Sequence, residues 1–311
     1  NILEESKNSL KWTQFSEEAK KQIRDHILST LASKIVEVRK SAALALATIC
    51  KIDLPRGEYL DIFNVLSTTA QNQNLYIQLS SLIALQYIYE EISSSDIPND
   101  TVAKLLNLYH SLLNNDQADP QLLEAALSSF MSFLPFIKDF MKEANFTLKI
   151  FEIIEKNVKH ANQNVRTKAL NIFMEIPKYY YDSLENFLDR IYNFSQEIIK
   201  KDIESNKIYC VEIWNSISYE EEYRLSSNSN LKKIPKYYLQ KYFSQLGKLC
   251  LEYVVTTDYD SEEDNISKTC LTLIESMSRC CNYEFIKLMI EYIGNNIKEN
   301  DSKIKYAALS V

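Results

Sequence analysis

The sequence is poor in the residues that build most catalytic and nucleotide-binding sites. It holds 3 glycines and 6 prolines in 311 residues. That nearly excludes glycine-rich phosphate loops and runs of tight β-turns, and it favours helix. The 3 histidines, His26, His110 and His160, stand far apart. No H-E-x-x-H, G-x-S-x-G or P-loop pattern occurs. The 6 cysteines include no C-x-x-C pair, which argues against zinc and thioredoxin-like readings. A reducing compartment is expected. No apolar run reaches the ~18 residues of a membrane span, and no signal peptide is visible, so membrane insertion is not expected. The formal charge is −7, which fits basic protein partners and not nucleic acid. An enzyme is not expected, and neither catalytic residues nor a metal or cofactor are assigned.

What the chain does have is one helix written seven times. A small residue recurs at Ala42, Ser81, Ala126, Ala169, Cys210, Cys270 and Ala308. The residue after each is apolar: Ala43, Leu82, Leu127, Leu170, Val211, Leu271 and Leu309. Four positions after the small residue come Leu46, Leu85, Phe130, Phe173, Trp214 and Ile274. Seven after it come Ile49, Ile88, Phe133, Ile176, Ile217 and Met277. These offsets form one apolar stripe of an α-helix, and the small residue lets a neighbouring helix approach closely. The copies are separated by 39, 45, 43, 41, 60 and 38 residues. A return of about 40–47 residues is the signature of a two-helix solenoid repeat.

The expected fold is therefore all-α: an α-solenoid of HEAT repeats, a right-handed superhelix of antiparallel helix pairs. Residues 1–15 read as the tail of a preceding repeat, with Trp12 as a packing residue. Residues 16–311 read as one continuous solenoid of about seven repeats, the last truncated, so the sequence is expected to be a fragment cut at both ends. The second helices are expected over Val36–Ile52, Leu75–Ile92, Pro120–Ile137, Asn164–Tyr181, Ser205–Glu222 and Ile266–Cys281. Leu54-Pro55-Arg56-Gly57 should break a helix, and Pro177 should end or kink one.

HEAT repeats serve many ends, so function must come from local features. One is the stretch from Ser41 to Pro55. A second is Cys210-Val211-Glu212-Ile213-Trp214-Asn215-Ser216-Ile217 with Tyr219-Glu220-Glu221-Glu222. The third is Asp258-Tyr259-Asp260-Ser261-Glu262-Glu263-Asp264, leading into Cys270-Leu271-Thr272-Leu273. In order and separation they resemble the N-terminal part of the importin-β (karyopherin-β) family of nuclear transport receptors. The acidic stretch departs from the family's denser Asp run followed by Trp.

The resemblance implies a receptor moving between cytoplasm and nucleus through the nuclear pore. It would bind cargo or the adaptor importin-α, bind FG-repeat nucleoporins, and release cargo on binding Ran-GTP. Asp258, Asp260, Glu262, Glu263 and Asp264 would form the Ran-binding acidic loop. Taken bottom-up, these five carboxylates lie in a segment without Lys or Arg between Lys248 and Lys268. Self-repulsion keeps such a cluster in water, where it offers a basic partner charge-assisted contacts; a passive solubilising loop is the alternative. Glu212, Glu220, Glu221 and Glu222 lie off the apolar stripe and are assigned to a concave face toward a basic cargo or adaptor segment, against an ordinary solvated face. Val102, Leu106, Ile150 and Phe151 are surplus apolar residues on first helices. The resemblance assigns them to the FG groove, and packing between repeats is the alternative. Trp214, in register with Phe130 and Phe173, is expected in the core. A static HEAT scaffold, such as a phosphatase regulatory subunit, is the competing reading; it has no need of the 60-residue interval or its acidic insert.

Overall fold

The computed structural model describes residues 11–226, 234–255, 265–281 and 283–310. Among the described residues there is no strand. The helices fall into two compact units, residues 1–139 and 140–311.

In the first unit the helices are α1 (Glu17–Thr30), α2 (Val36–Asp53), α3 (Ile62–Thr69), α4 (Leu75–Glu91), α5 (Asn99–Leu113) and α6 (Pro120–Phe133). Successive helices pair, and the second helices α2, α4 and α6 stack side by side. The small residues explain the close approach: Ala42, Ser81 and Ala126 are all buried. The stripe residues Leu46, Leu85 and Phe130 behind them are buried too, each contributing about 1.5–3 kcal/mol. The helix starts follow capping chemistry. Ser16 accepts from Ala19 N–H at 3.2 Å, Asn74 from Tyr76 N–H at 2.9 Å and Asp119 from Gln121 N–H at 2.8 Å. The break after α2 is a 3₁₀ turn, Leu54–Arg56, closed by Gly57 at φ 74°, a left-handed conformation that suits glycine. Trp12 does more than pack. Its indole Nε1–H donates to Asp53 at 2.8 Å, and Arg24 pairs with the same fully buried carboxylate.

In the second unit the helices are α7 (Ala144–Val158), α8 (Gln163–Tyr180), α9 (Leu188–Lys201), α10 (Glu204–Ser226), α11 (Tyr238–Val254), α12 (Ile266–Cys280), α13 (Tyr283–Asn296) and α14 (Ser302–Ser310). Here α8, α10 and α12 stack, with Ala169, Cys210 and Cys270 buried. Helix α8 runs through Pro177 to Tyr180, so the proline does not end it. The last copy of the stripe is incomplete: Ala308 is buried but Leu309 is exposed. Cys50, Cys210, Cys250, Cys270 and Cys280 are buried thiols and Cys281 is half-buried. Burial pushes the Cys50 and Cys210 thiols up, which suits packing and not reactivity. At Gly247 on α11 an added Cβ would lie 3.0 Å from the Leu288 side chain on α13, so the two helices approach closely here.

One recurring feature stands outside the apolar stripe. Three residues before the small residue stands Arg39 in α2 and Arg166 in α8. Arg166 Nε and Nη2 each meet a different oxygen of Asp202 at 2.6 Å, and its Nη1 donates to the His160 and Ala161 carbonyls. Arg39 donates to the Ser33 carbonyl at 2.8 Å and lies over the Tyr76 ring. Each arginine ties down the turn before its own helix.

Candidate protein-interaction site

The four glutamates assigned to one face separate when α10 is formed. Glu212, Glu220 and Glu222 are partly accessible, while Glu221 is fully buried. The reason is helical register. Cys210, Trp214, Ile217, Glu221 and Arg224 follow at offsets of 0, 4, 7, 11 and 14, one continuous buried stripe. The helix runs to Ser226, one turn beyond the expected end at Glu222, and the stripe continues to Arg224. Its assignment to a cargo-facing surface is corrected: Oε1 accepts from Tyr181 O–H at 2.7 Å and from the Tyr238 N–H. Trp214 is buried as expected, against Tyr192 and Tyr242.

The outer face of α10 carries both carboxylates and aromatic rings. Glu222 meets Arg279 Nε at 2.9 Å, and Arg279 also meets Glu275 at 2.9 Å, which bridges α10 to α12. Glu220 accepts from Arg224 Nε at 2.8 Å, and Arg224 in turn holds Asp182. Exposed Tyr219 and Tyr223 lie one turn apart between these acids. Partial burial, then the Glu212 carboxylate, pushes the Tyr219 hydroxyl up; Glu275 and Glu222 add to this and Arg279 opposes it. A shallow groove between α10 and α12 is lined by Tyr209, Glu212, Lys268 and Thr272. The start of α12 is fixed at its rim: Ile266 N–H donates to Glu204 at 3.1 Å and Lys268 N–H to Asn265 at 3.0 Å. Asp258, Asp260, Glu262, Glu263 and Asp264 lie outside the described residues.

Val102, Leu106, Ile150 and Phe151 are 2%, 3%, 5% and 2% exposed, the first two buried in the first unit and the last two in the second. The cause is that a first helix has two neighbours. Helix α5 packs on its partner α6 and on α3, which demands two apolar faces. Phe151 stacks on Phe187 with ring centroids 3.8 Å apart and meets Phe173 edge-on.

No family model matches the sequence. Importin subunit beta-1 of Arabidopsis thaliana is 23% identical over 315 residues, covering 96% of this chain and 35% of that protein. The Saccharomyces cerevisiae importin subunit beta-1 is likewise 23% identical, over 310 residues. Among solved structures, yeast importin-β (Kap95p) superposes with a TM-score of 0.87 over 98% of this chain and 36% of that one, at 20% identity. The chain is similar to importin-β along nearly its whole length. It spans about a third of the length of those receptors. A Kap95 complex with Nup1 superposes with a TM-score of 0.84, and a Kap95p structure with RanGDP with 0.87. The fold is therefore similar to that of the importin-β HEAT-repeat structures.

Proposed function

We infer that the chain is part of a nuclear import receptor that takes basic cargo or an importin-α adaptor, engages FG nucleoporins and releases its load when Ran-GTP binds. The similarity to importin subunit beta-1 along nearly the whole chain carries this reading. The Nup1 and RanGDP complexes of Kap95 support the two classes of further partner. The role is binding, not catalysis, and it belongs to a protein that shuttles between cytoplasm and nucleus. On α10, Glu212, Glu220 and Glu222 with Tyr219 and Tyr223 suit a basic segment: carboxylates for the charge, rings for cation–π contact. The acidic stretch Asp258–Asp264 is the proposed contact for a basic surface of Ran.

The mechanism is negative coupling: two ligands that each bind better without the other, by the same factor in both directions. The test is a pull-down of the intact protein on Ran-GTP and Ran-GDP, with the five acids of 258–264 changed together to Asn or Gln. The unsubstituted protein is expected to prefer Ran-GTP. The substituted one should lose about ten-fold or more in affinity at low salt, with the loss shrinking as salt rises. Equal binding of both Ran forms by the unsubstituted protein would favour a static scaffold. Unchanged Ran-GTP affinity after substitution would leave the acidic stretch a passive spacer.

A further inference from the structure

Glu221 stands eleven residues after Cys210, at the place where α2 carries Asp53, a buried carboxylate held by Arg24 and Trp12, and where the other copies carry Ile92, Ile137, Tyr180 and Cys281. Three side chains, Glu221, Tyr181 and Arg224, hold the segment 234–238 beside it. Glu221 Oε1 takes the Tyr238 N–H and the Tyr181 O–H. The Tyr181 oxygen then accepts the Lys236 N–H at 3.0 Å. Arg224 Nη1 donates to the Ile234 carbonyl at 3.2 Å. Between them Tyr237 sits at φ 54°, left-handed and costly for a residue with a Cβ. The segment is thus held in a strained turn, and one carboxyl accepts from Tyr238 directly and from the Tyr181 hydroxyl that holds Lys236.

That carboxyl is poorly served as an anion. It is fully buried, and its Oε2 has no hydrogen-bond donor. The charged and titratable groups around it are committed or neutral. Arg224, on the same helix, pairs with Asp182 and Glu220. Lys236 pairs with Glu185. Tyr181 from the preceding turn and Tyr238 from α11 have hydroxyls pushed up, first by burial. Cys280 at the end of α12 and Cys281 just after it are pushed up as well, Cys281 to about 12. Burial lifts the Glu221 carboxyl above its ordinary range, against the pull of Tyr181, the Tyr238 and Leu239 N–H groups and Arg224.

We propose that Glu221 is a proton-dependent latch on residues 234–238, closed when its carboxyl is neutral and released when it ionises. An ionised Oε2 demands water. Water reaches it when the 234–238 segment moves off, which also relieves the left-handed Tyr237. No covalent bond changes beyond the proton lost to solvent; the hydrogen bonds to 234–238 are exchanged for bonds to water. The released segment would carry Ile234 and Tyr237, both already exposed, away from the end of α10.

Amide hydrogen exchange at Lys236 and Tyr238, followed from pH 5 to pH 8 and corrected for intrinsic rates, tests this on the whole protein. Protection is expected to fall with rising pH, by about ten-fold for each unit that the carboxyl lies above its ordinary value. In Glu221→Gln it should stay level, because the amide is neutral throughout. Tyr181→Phe removes a donor that favours the ionised form, so its fall should come at higher pH. A fall that persists unchanged in Glu221→Gln, or protection independent of pH in the unsubstituted protein, would overturn the latch. If Glu221→Gln does not fold, an unmoved midpoint in Tyr181→Phe would do the same.

Discussion

Helices α4 and α10 occupy the same place in their repeats and solve burial differently. Along α4 the polar groups on the inner side find partners. Ser81 Oγ donates to the Ile77 carbonyl at 2.8 Å and reaches Thr69 at 2.7 Å. Ser80 Oγ donates to the Leu31 carbonyl at 2.8 Å. Nearby, Tyr109 O–H is shared between Ser129 and Tyr89. Along α10 the inner side carries Trp214, Asn215 and Glu221. The indole N–H, both amide atoms of Asn215 and one oxygen of Glu221 are buried without a hydrogen bond. Each such group costs about 1–3 kcal/mol. The same apolar stripe therefore supports a joint with satisfied polar groups in one repeat and a joint under polar tension in another. The second kind is where local opening is cheapest.

The largest effect should come from the stripe itself. Trp214→Ala empties a site packed by Tyr192 and Tyr242 and should cost about 3–5 kcal/mol, while Leu85→Ala, its counterpart on α4, should cost about 2–5 kcal/mol. Trp214→Phe sharpens the contrast. It removes the unpaired N–H with much of the ring retained, so denaturant titration should recover most of the loss. A Phe variant as damaged as the Ala variant would mean that the indole N–H is satisfied.

Next in size, two polar deletions should have opposite signs. Asn215→Leu replaces an unbonded buried amide by an apolar group of similar size and should stabilise by about 1 kcal/mol. Ser81→Ala removes a bonded hydroxyl and should destabilise by about 0.5–1.5 kcal/mol. Thermal melts with the same sign for both would break the comparison.

The units should also differ in acid. Burial works to raise the Asp202 carboxyl, but Arg166, the Ile203 N–H and Asn206 outweigh it and hold it below the usual carboxylate range. A lowered carboxyl contributes stability above its unfolded value, and that stability is lost as pH falls through the folded value. Eight residues before Ser81, the place matching Asp202 is Gln73, which has no such titration. Melts between pH 5 and pH 2 should show a steeper loss in the unsubstituted protein than in Asp202→Asn. Equal slopes would mean that the Arg166 pair is worth nothing to the α8–α10 joint.

How much of this was legible follows from what periodicity can encode. The stripe offsets located the small residues and the rings on the inner side because a helix repeats every 3.6 residues. The register also held the Glu221 answer, since position 11 continues 0, 4 and 7, but the stripe was followed only to position 7, and three consecutive glutamates then read as one exposed run. Val102, Leu106, Ile150 and Phe151 were read as surplus because one stripe was allotted per helix; first helices have two packed sides. Arg39 and Arg166 carried a signal, the same offset in two copies, without naming the distant Asp202. The bonds around Tyr237 could not be read at all, since they join residues up to 55 apart in the chain.

The smallest effect on stability should come from the face proposed to meet partners. Glu222→Gln breaks a bridge to Arg279 that is about four-tenths exposed at both ends. Exposed pairs are worth about 0–1 kcal/mol, and Arg279 keeps Glu275, so the melting temperature should hardly move. Binding should respond more. Glu212, Glu220 and Glu222 changed together to Gln remove three charges from one face while leaving Glu221 and its bonds in place. Loss of ~1.4 kcal/mol is one decade in affinity, and three contacts with a basic segment reach that at low salt. Titration with a lysine- and arginine-rich importin-α segment should show the loss, and raised salt should erase it. If affinity for that segment is unchanged at low salt while the fold is intact, the outer face of α10 is solvated surface and the partner of these repeats sits elsewhere.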